Sequence, residues 1–264
     1  MADNTFWLRE DIAGLIGGEN PFDFFSKLEG EVFRALDFRR TFAVELGNKR
    51  YFVKHHSGSS VGEILKNLLQ LRLPIISAEN EILAIKKLTA EGITVPTIAA
   101  YGRRGLLPNA IESFIVTEDV GTQENLEDIT RNWSNKAPAF SEKISLIQKV
   151  SDIGARMHNS GICHRDFYLC HFMVPFVAEG QGENRLILID LHRALVKKHL
   201  GQRWIIKDIA GLYFSAMGIG LNRRDLFRFI KMYSGKTLRV ALEKEATFWQ
   251  KVERRALKMK EKHS

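Results

Sequence analysis

Apolar positions change their period several times along this chain, and each change predicts a different element. Over 32–36, 41–46 and 50–55 they alternate with polar ones, which predicts three strands of an antiparallel meander. The intervening turns fall at 37–39 and at Gly47, Asn48 and Lys49. Over 78–90 the spacing becomes helical, with Glu81, Ala84, Ile85 and Leu88 on one face and Glu79 on the other. Segments 92–100 and 113–118 return to strand, with Pro108 and Asn109 forming the turn between them. A long helix follows over 141–157, where Leu146, Val150, Ile153 and Met157 recur at spacings of 4, 3 and 4. Gly161 ends it, and 164–166 reads as an exposed turn. Two short apolar strands, 172–176 and 186–189, are joined by the polar loop 178–184 as a hairpin. A last helix carries Phe248, Val252, Ala256 and Met259 on one face and Lys251, Arg254, Arg255 and Lys258 around the rest.

Strands gather before residue 120 and helices after it, which makes the fold class α+β. The expected division is an N-terminal extension over 1–30, a sheet lobe with one key helix over 31–120, and a mostly helical lobe over 121–264. The lobe boundary is placed near Val120 and Gly121, after a hinge at Glu118 and Asp119. Within the extension, 11–18 reads as small and flexible, and Phe22, Phe24 and Phe25 read as a strap docked on the fold. Past the boundary, 123–129 reads as a short helix and 134–139 as a loop.

Composition narrows the function classes. With 264 residues, 45% of them hydrophobic, the chain can bury a sizeable core. No uncharged apolar run is long enough to span a membrane, and the first ten residues lack the pattern of a secretory signal. Two cysteines, Cys163 and Cys170, are expected as free thiols, so cytoplasm is the natural compartment. The formal charge is +8, and residues 236–264 hold nine Lys or Arg against four Glu. That surplus attracts phosphates on nucleotides, nucleic acids or anionic lipids without choosing among them. A nucleic-acid binder is disfavoured, because no reading motif is present and the basic residues are not interleaved with exposed aromatics.

The candidate chemistry lies between residues 164 and 190. His164, Arg165 and Asp166 are followed five positions later by His171, and 24 positions after Asp166 by Asp190 at the end of an apolar strand. Two carboxylates placed near opposite ends of a hairpin, in a loop-built cleft, suit phosphoryl transfer from a nucleotide. One orients a hydroxyl and accepts its proton; the other holds Mg²⁺ against the phosphates. Asp166 is the candidate base, and Asp190 with His171 the candidate metal ligands. A hard cation prefers oxygen, so His171 has an alternative role in bonding the turn or a phosphate.

Lys54 on the third strand is the candidate phosphate-binding lysine. Glu81, a carboxylate inside an apolar stripe, needs a cation and is expected to pair with it. No glycine-rich phosphate loop precedes Lys54, so Arg39 or Arg40 is expected to supply charge there. Asp190 is followed by Leu191, His192 and Arg193 rather than Phe-Gly, so the usual pivot of this aspartate is missing. Asp208, at the start of an apolar run, is expected to hydrogen-bond the backbone of the catalytic turn from beneath.

These pieces resemble one family. Tyr51 to His56, Gly62 to Leu68, Leu73 and Pro74, Ala78 to Glu81, Ser113 to Glu118, the block from His164 to Phe172, and Leu188 to Ala194 are similar to the lipopolysaccharide core heptose(I) kinases of Gram-negative bacteria (WaaP/RfaP type). The resemblance covers most of residues 30–215, and His171, where most kinases have Asn, is part of the family's own version of the block. It implies a bilobal protein-kinase-like fold and an ATP- and Mg²⁺-dependent sugar kinase. The acceptor it implies is the 4-hydroxyl of the first heptose on Kdo₂-lipid A, at the cytoplasmic face of the inner membrane. It maps catalysis onto Asp166 and the nucleotide and metal site onto Lys54, Glu81 and Asp190, and it implies acyl carrier protein as a partner. The rival class is a degenerate kinase fold that acts only as a glycolipid- or protein-binding module.

Overall fold

The computed structural model describes residues 4–36, 38–58, 78–107, 110–121, 124–175 and 185–263. The chain divides into two compact units: residues 1–85 with 96–120, and residues 86–95 with 121–264.

The first unit is built on a six-stranded antiparallel sheet. Its strands are β1 (Thr5–Leu8), β2 (Glu31–Leu36), β3 (Arg39–Leu46), β4 (Lys49–Ser57), β5 (Ile98–Arg104) and β6 (Glu112–Glu118), in the spatial order β1-β5-β6-β4-β3-β2. The meander expected from the alternating pattern is therefore present. The fourth predicted strand begins later than expected, at Ile98, and continues to Arg104.

The N-terminal segment departs further from expectation. Residues read as flexible form α1 (Glu10–Ile16), followed by α2 (Pro21–Lys27), whose start is capped by the Asn20 side chain. Ile12, Phe22 and Phe25 are buried against Phe42, Tyr51, Val53 and Phe114, with Phe25 and Phe114 ring centroids 4.7 Å apart. Burying three such side chains contributes about 5–9 kcal/mol, comparable to the net stability of a whole domain. This segment is part of the core rather than a strap laid on it. Helix α3 (Glu79–Ala90) begins in this unit and ends in the second.

The second unit is mostly helical. Its chain runs β7 (Glu124–Asn125), α4 (Leu126–Thr130), α5 (Phe140–Asn159), β8 (Ile162–Cys163), β9 (Phe172–Val174), β10 (Ile187–Leu188) and β11 (Leu195–Val196). Four helices follow: α6 (Gln202–Ser215), α7 (Arg223–Ser234), α8 (Leu238–Lys244) and α9 (Ala246–His263). The expected helix at 123–129 is thus a two-residue strand leading into a shorter helix. The turn at 108–109 and the hairpin loop at 178–184 lie outside the described residues, as do the motif stretches at 62–68 and 73–74.

Helix α5 buries Ile147, Val150, Ile153 and Met157 and stops where Gly161 takes a φ of +84°. A Cβ at Gly161 would meet the Lys197 carbonyl oxygen at 2.0 Å, so only glycine fits this exit. Helix α9 packs Val252 and Ala256 onto Ile209 and Ala210 of α6 and leaves Lys251, Arg254, Arg255 and Lys258 exposed. An apolar cavity of about 420 Å³ lies inside this unit, lined by Leu126, Ile147, Val150, Leu169, Leu212 and Trp249 among others. Among the described residues no helix is long and apolar enough to cross a membrane.

Candidate active site

In the first unit the site begins with strand alternation. Tyr51 and Val53 of β4 point into the hydrophobic cluster, so Lys54, between β3 and β6, points to the other face. There its Nζ lies 2.5 Å from Glu81 Oε1 on α3, with 15% of the lysine and 6% of the glutamate side chain exposed. The partner is Glu81 and not Glu79, which is half-exposed and reaches Arg103 at 3.4 Å. Glu81 Oε2 is buried and makes no hydrogen bond among the described residues.

Register also separates the two arginines. Arg39 stands opposite His56 and shares the face of Lys54; Arg40 stands opposite His55 on the other face, its guanidinium 4.2 Å from the Phe42 ring centroid. Both belong to β3 rather than to the turn before it. Arg39→Ala is expected to weaken ATP binding several-fold, on the scale of one charge-assisted contact, and Arg40→Ala to leave it unchanged. Titration of each variant with a fluorescent ATP analogue checks this, and unchanged affinity in both removes arginine from the phosphate site.

In the second unit the turn that carries the candidate base hangs from a buried acid. Asp208 is fully buried on α6 and accepts from His164 N at 2.7 Å and Arg165 N at 2.8 Å. His158 Nε2 lies 3.3 Å from the same carboxylate. Burial would push this carboxyl up, but the hydrogen bond and charge of His158 hold it below the ordinary carboxylate value. The turn is not exposed: His164 is wholly buried and Arg165 and Asp166 partly so, because Asp208 draws their backbone inward. Burial also pushes the His164 imidazole below its ordinary value.

Arg165 has a φ of +74° and Asp190 a φ of +62°, and no other described non-glycine residue has a positive φ. Left-handed backbone of this kind gathers at functional sites because only a surrounding network can hold it. Here the network is visible. Arg193 Nη1 donates to both carboxylate oxygens of Asp166, at 2.7 and 2.9 Å. His171 Nδ1 donates to the Asp166 carbonyl at 2.6 Å, and its ring stacks on His164, whose Nε2 donates to the Ile189 carbonyl at 2.9 Å. Asp190 Oδ1 accepts from His192 Nδ1, and Oδ2 lies 3.6 Å from His171 Nε2.

Because Leu188 pairs with Phe172 across the hairpin, residues before β9 and after β10 leave it at the same end. Asp166 and Asp190 thus belong to one end of the hairpin, not to opposite ends.

His171 Nδ1 must carry a proton to donate to a carbonyl, so in the neutral ring Nε2 turns a lone pair toward the Asp190 carboxylate. Two donor atoms facing each other across 3.6 Å, one on a carboxylate left one-third exposed, suit a bound cation. Among the described residues no group of three or more His, Cys, Asp or Glu is arranged to hold a metal. The Asp190 carboxylate is the kind of ligand Mg²⁺ takes, since that ion uses one or two protein carboxylates and draws its remaining oxygens from phosphates and water.

A model of the Lipopolysaccharide kinase (Kdo/WaaP) family matches residues 23–233. The chain belongs to this family. Lys54, Glu81, Asp166, His171, Asp190 and Asp208 all lie within the family match, whereas α9 lies beyond it. The lipopolysaccharide core heptose(I) kinase WaaP of Escherichia coli strain K12 is 41% identical over 257 residues, covering 97% of each chain. WaaP of Pseudomonas aeruginosa is 40% identical over 256 residues, covering 97% of this chain and 96% of that one. A solved structure of WaaP in complex with acyl carrier protein is 36% identical, with a TM-score of 0.83 over 96% of this chain and 98% of that one. The fold is therefore that of the WaaP kinases: α+β, bilobal and protein-kinase-like.

Three side chains of this candidate site escaped the sequence reading: Arg193, His192 and His158. The first two follow Asp190 directly, where the absence of Phe-Gly drew attention away from what stands in its place. A single 3₁₀ turn, Leu191–Arg193, carries them back to the two acids. The usable signal was a hydrogen-bond donor two and three positions after a candidate metal ligand.

Proposed function

We propose that this chain transfers the γ-phosphoryl group of ATP to the 4-hydroxyl of heptose I in the inner core of lipopolysaccharide. The observation that carries the reading is Asp166, held bidentately by Arg193 and joined through His171 to Asp190. Held in this way, the carboxylate is fixed in orientation by Arg193 and can align an alcohol and take its proton on a lone pair that Arg193 leaves open. Asp190 would hold Mg²⁺, with His171 beside it; the ion, when bound, supplies charge neutralisation at the phosphates. Lys54, steadied by Glu81, would engage the α- and β-phosphates.

Acyl carrier protein is the proposed protein partner. A relative is solved in complex with it, and the apolar cavity in the second unit suits the acyl chain such a carrier presents. The exposed basic side of α9 favours a peripheral position against anionic lipid on the cytoplasmic face of the inner membrane.

Mass spectrometry of core oligosaccharide from cells with and without the gene tests the proposal. One phosphate on the inner heptose is expected to disappear with the gene and return with its wild-type copy. A core unchanged in phosphate overturns it.

A further inference from the structure

Five cations of the second unit lie about Asp166 or about Trp204, and the Asp166 carboxylate pairs with one of them. Arg193 takes Asp166. Arg165, Lys197, Arg203 and Lys207 form no ion pair among the described residues. Three of these four surround one ring: Arg203, Arg165 and Lys197 lie 4.8, 5.8 and 5.9 Å from the centroid of Trp204. The fourth, Lys207, is half-buried one helical turn beyond Trp204 on α6. Burial and the charges of Arg165 and Arg193 push its ammonium below the ordinary lysine value, while Asp166 pulls the other way, so all four groups share one field.

Placement of these cations opposes the stability of the helix that carries them. Arg203 stands in the first turn of α6, where the helix dipole is already positive and no acidic residue offsets it; Lys207 follows one turn later beside Asp208, whose carboxylate is taken up by the backbone of His164 and Arg165 and by His158. The N-cap, Gly201, offers no side-chain hydrogen bond. Arg165 holds left-handed backbone, and its Nε is buried without a hydrogen-bond partner. Strained backbone, an unpartnered guanidinium nitrogen and uncompensated charge at a helix start share one requirement, which an anion meets.

Resting on the kinase reading above, we propose that Arg165 and Arg203, ordered around Trp204, together with Lys207 one turn further along α6, form an acceptor subsite for an anionic group on the glycan beside the reacting hydroxyl. A sugar carboxylate and a phosphate both have this chemistry. A planar carboxylate or tetrahedral phosphate would bridge Arg165 and Lys207, setting the alcohol against Asp166 and making an acidic acceptor a better substrate than a neutral one.

The test compares wild type with Lys207→Gln, Arg203→Gln and the charge-preserving Lys207→Arg. Each is measured for phosphate transfer and, separately, for equilibrium binding of the heptosylated acidic core sugar by calorimetry. Lys207→Gln is expected to raise the acceptor KM and Kd about tenfold or more, with the KM for ATP unchanged and Lys207→Arg close to wild type. Acceptors with the sugar carboxyl esterified, or with the lipid phosphates removed, identify the anion: the one that abolishes the difference between wild type and variant carries it. An equal loss on the acidic and on both neutralised acceptors, or no loss on any, overturns the subsite. Absence of transfer by wild type with the charge-dependent binding intact overturns the kinase reading and leaves the subsite standing.

Discussion

Asp166→Asn is expected to lower kcat by roughly 10²–10⁴-fold, the usual contribution of a positioned general base. The amide cannot accept the hydroxyl proton, and it offers Arg193 one acceptor oxygen in place of two. Binding of ATP should change little, because Lys54 and Glu81 are untouched. The thermal transition should move by only a few degrees, since Asp166 is partly exposed and its backbone contacts to His171 and Tyr168 remain. Phosphate transfer, ATP affinity and Tm measured side by side check the three statements together. A variant that turns over at the wild-type rate removes Asp166 as the base and favours a module that binds without reacting.

Asp208→Ala should act on stability first. Its carboxylate satisfies two backbone N–H groups and faces His158, all away from water. Removing one partner from a buried charged cluster costs about 3–5 kcal/mol, roughly ten degrees in Tm for a chain of this size. Activity should fall too, because the left-handed Arg165 that presents Asp166 loses its support. The pH dependence has a defined sign. The folded carboxyl lies below its ordinary value, so the contribution of Asp208 is complete above about pH 4 and is lost as pH falls through the lower folded value. The stability gap between wild type and Asp208→Ala, measured by urea unfolding, should therefore be constant near neutrality and narrow in acid. A gap that widens in acid contradicts the assignment.

What could be seen in the sequence follows from how local the causes are. Period-two alternation specified β3 and β4, because each side chain alternates whatever the rest of the chain does. The pairing of Lys54 with Glu81 was legible for a similar reason: a carboxylate within an apolar stripe demands a cation, and one strand offered it. Asp208 was legible as a buried acid that must find donors. By contrast, Gly14, Gly17 and Gly18 suggested looseness around α1, whereas only Gly17 and Gly18 take positive φ values, at the helix exit. Ile12 and Ile16, on either side of Gly14, are core residues whose partners lie far along the chain. Arg193 was hidden because its bond to Asp166 depends on the left-handed backbone at Asp190, a tertiary outcome that no spacing rule contains. The two ends of the hairpin were misjudged because distance along a strand pair folds back on itself.

The edge strand β1 has a consequence for biosynthesis. Trp7 pairs with Tyr101, and Phe22 and Phe25 close on Phe114, so these aromatic residues leave the ribosome well before their partners are made. At about 5–20 residues per second that delay lasts several seconds, during which bare aromatic surface is offered to chaperones or to other nascent chains. Yield in cells should therefore respond to translation speed and chaperone supply more than the finished protein's stability would suggest.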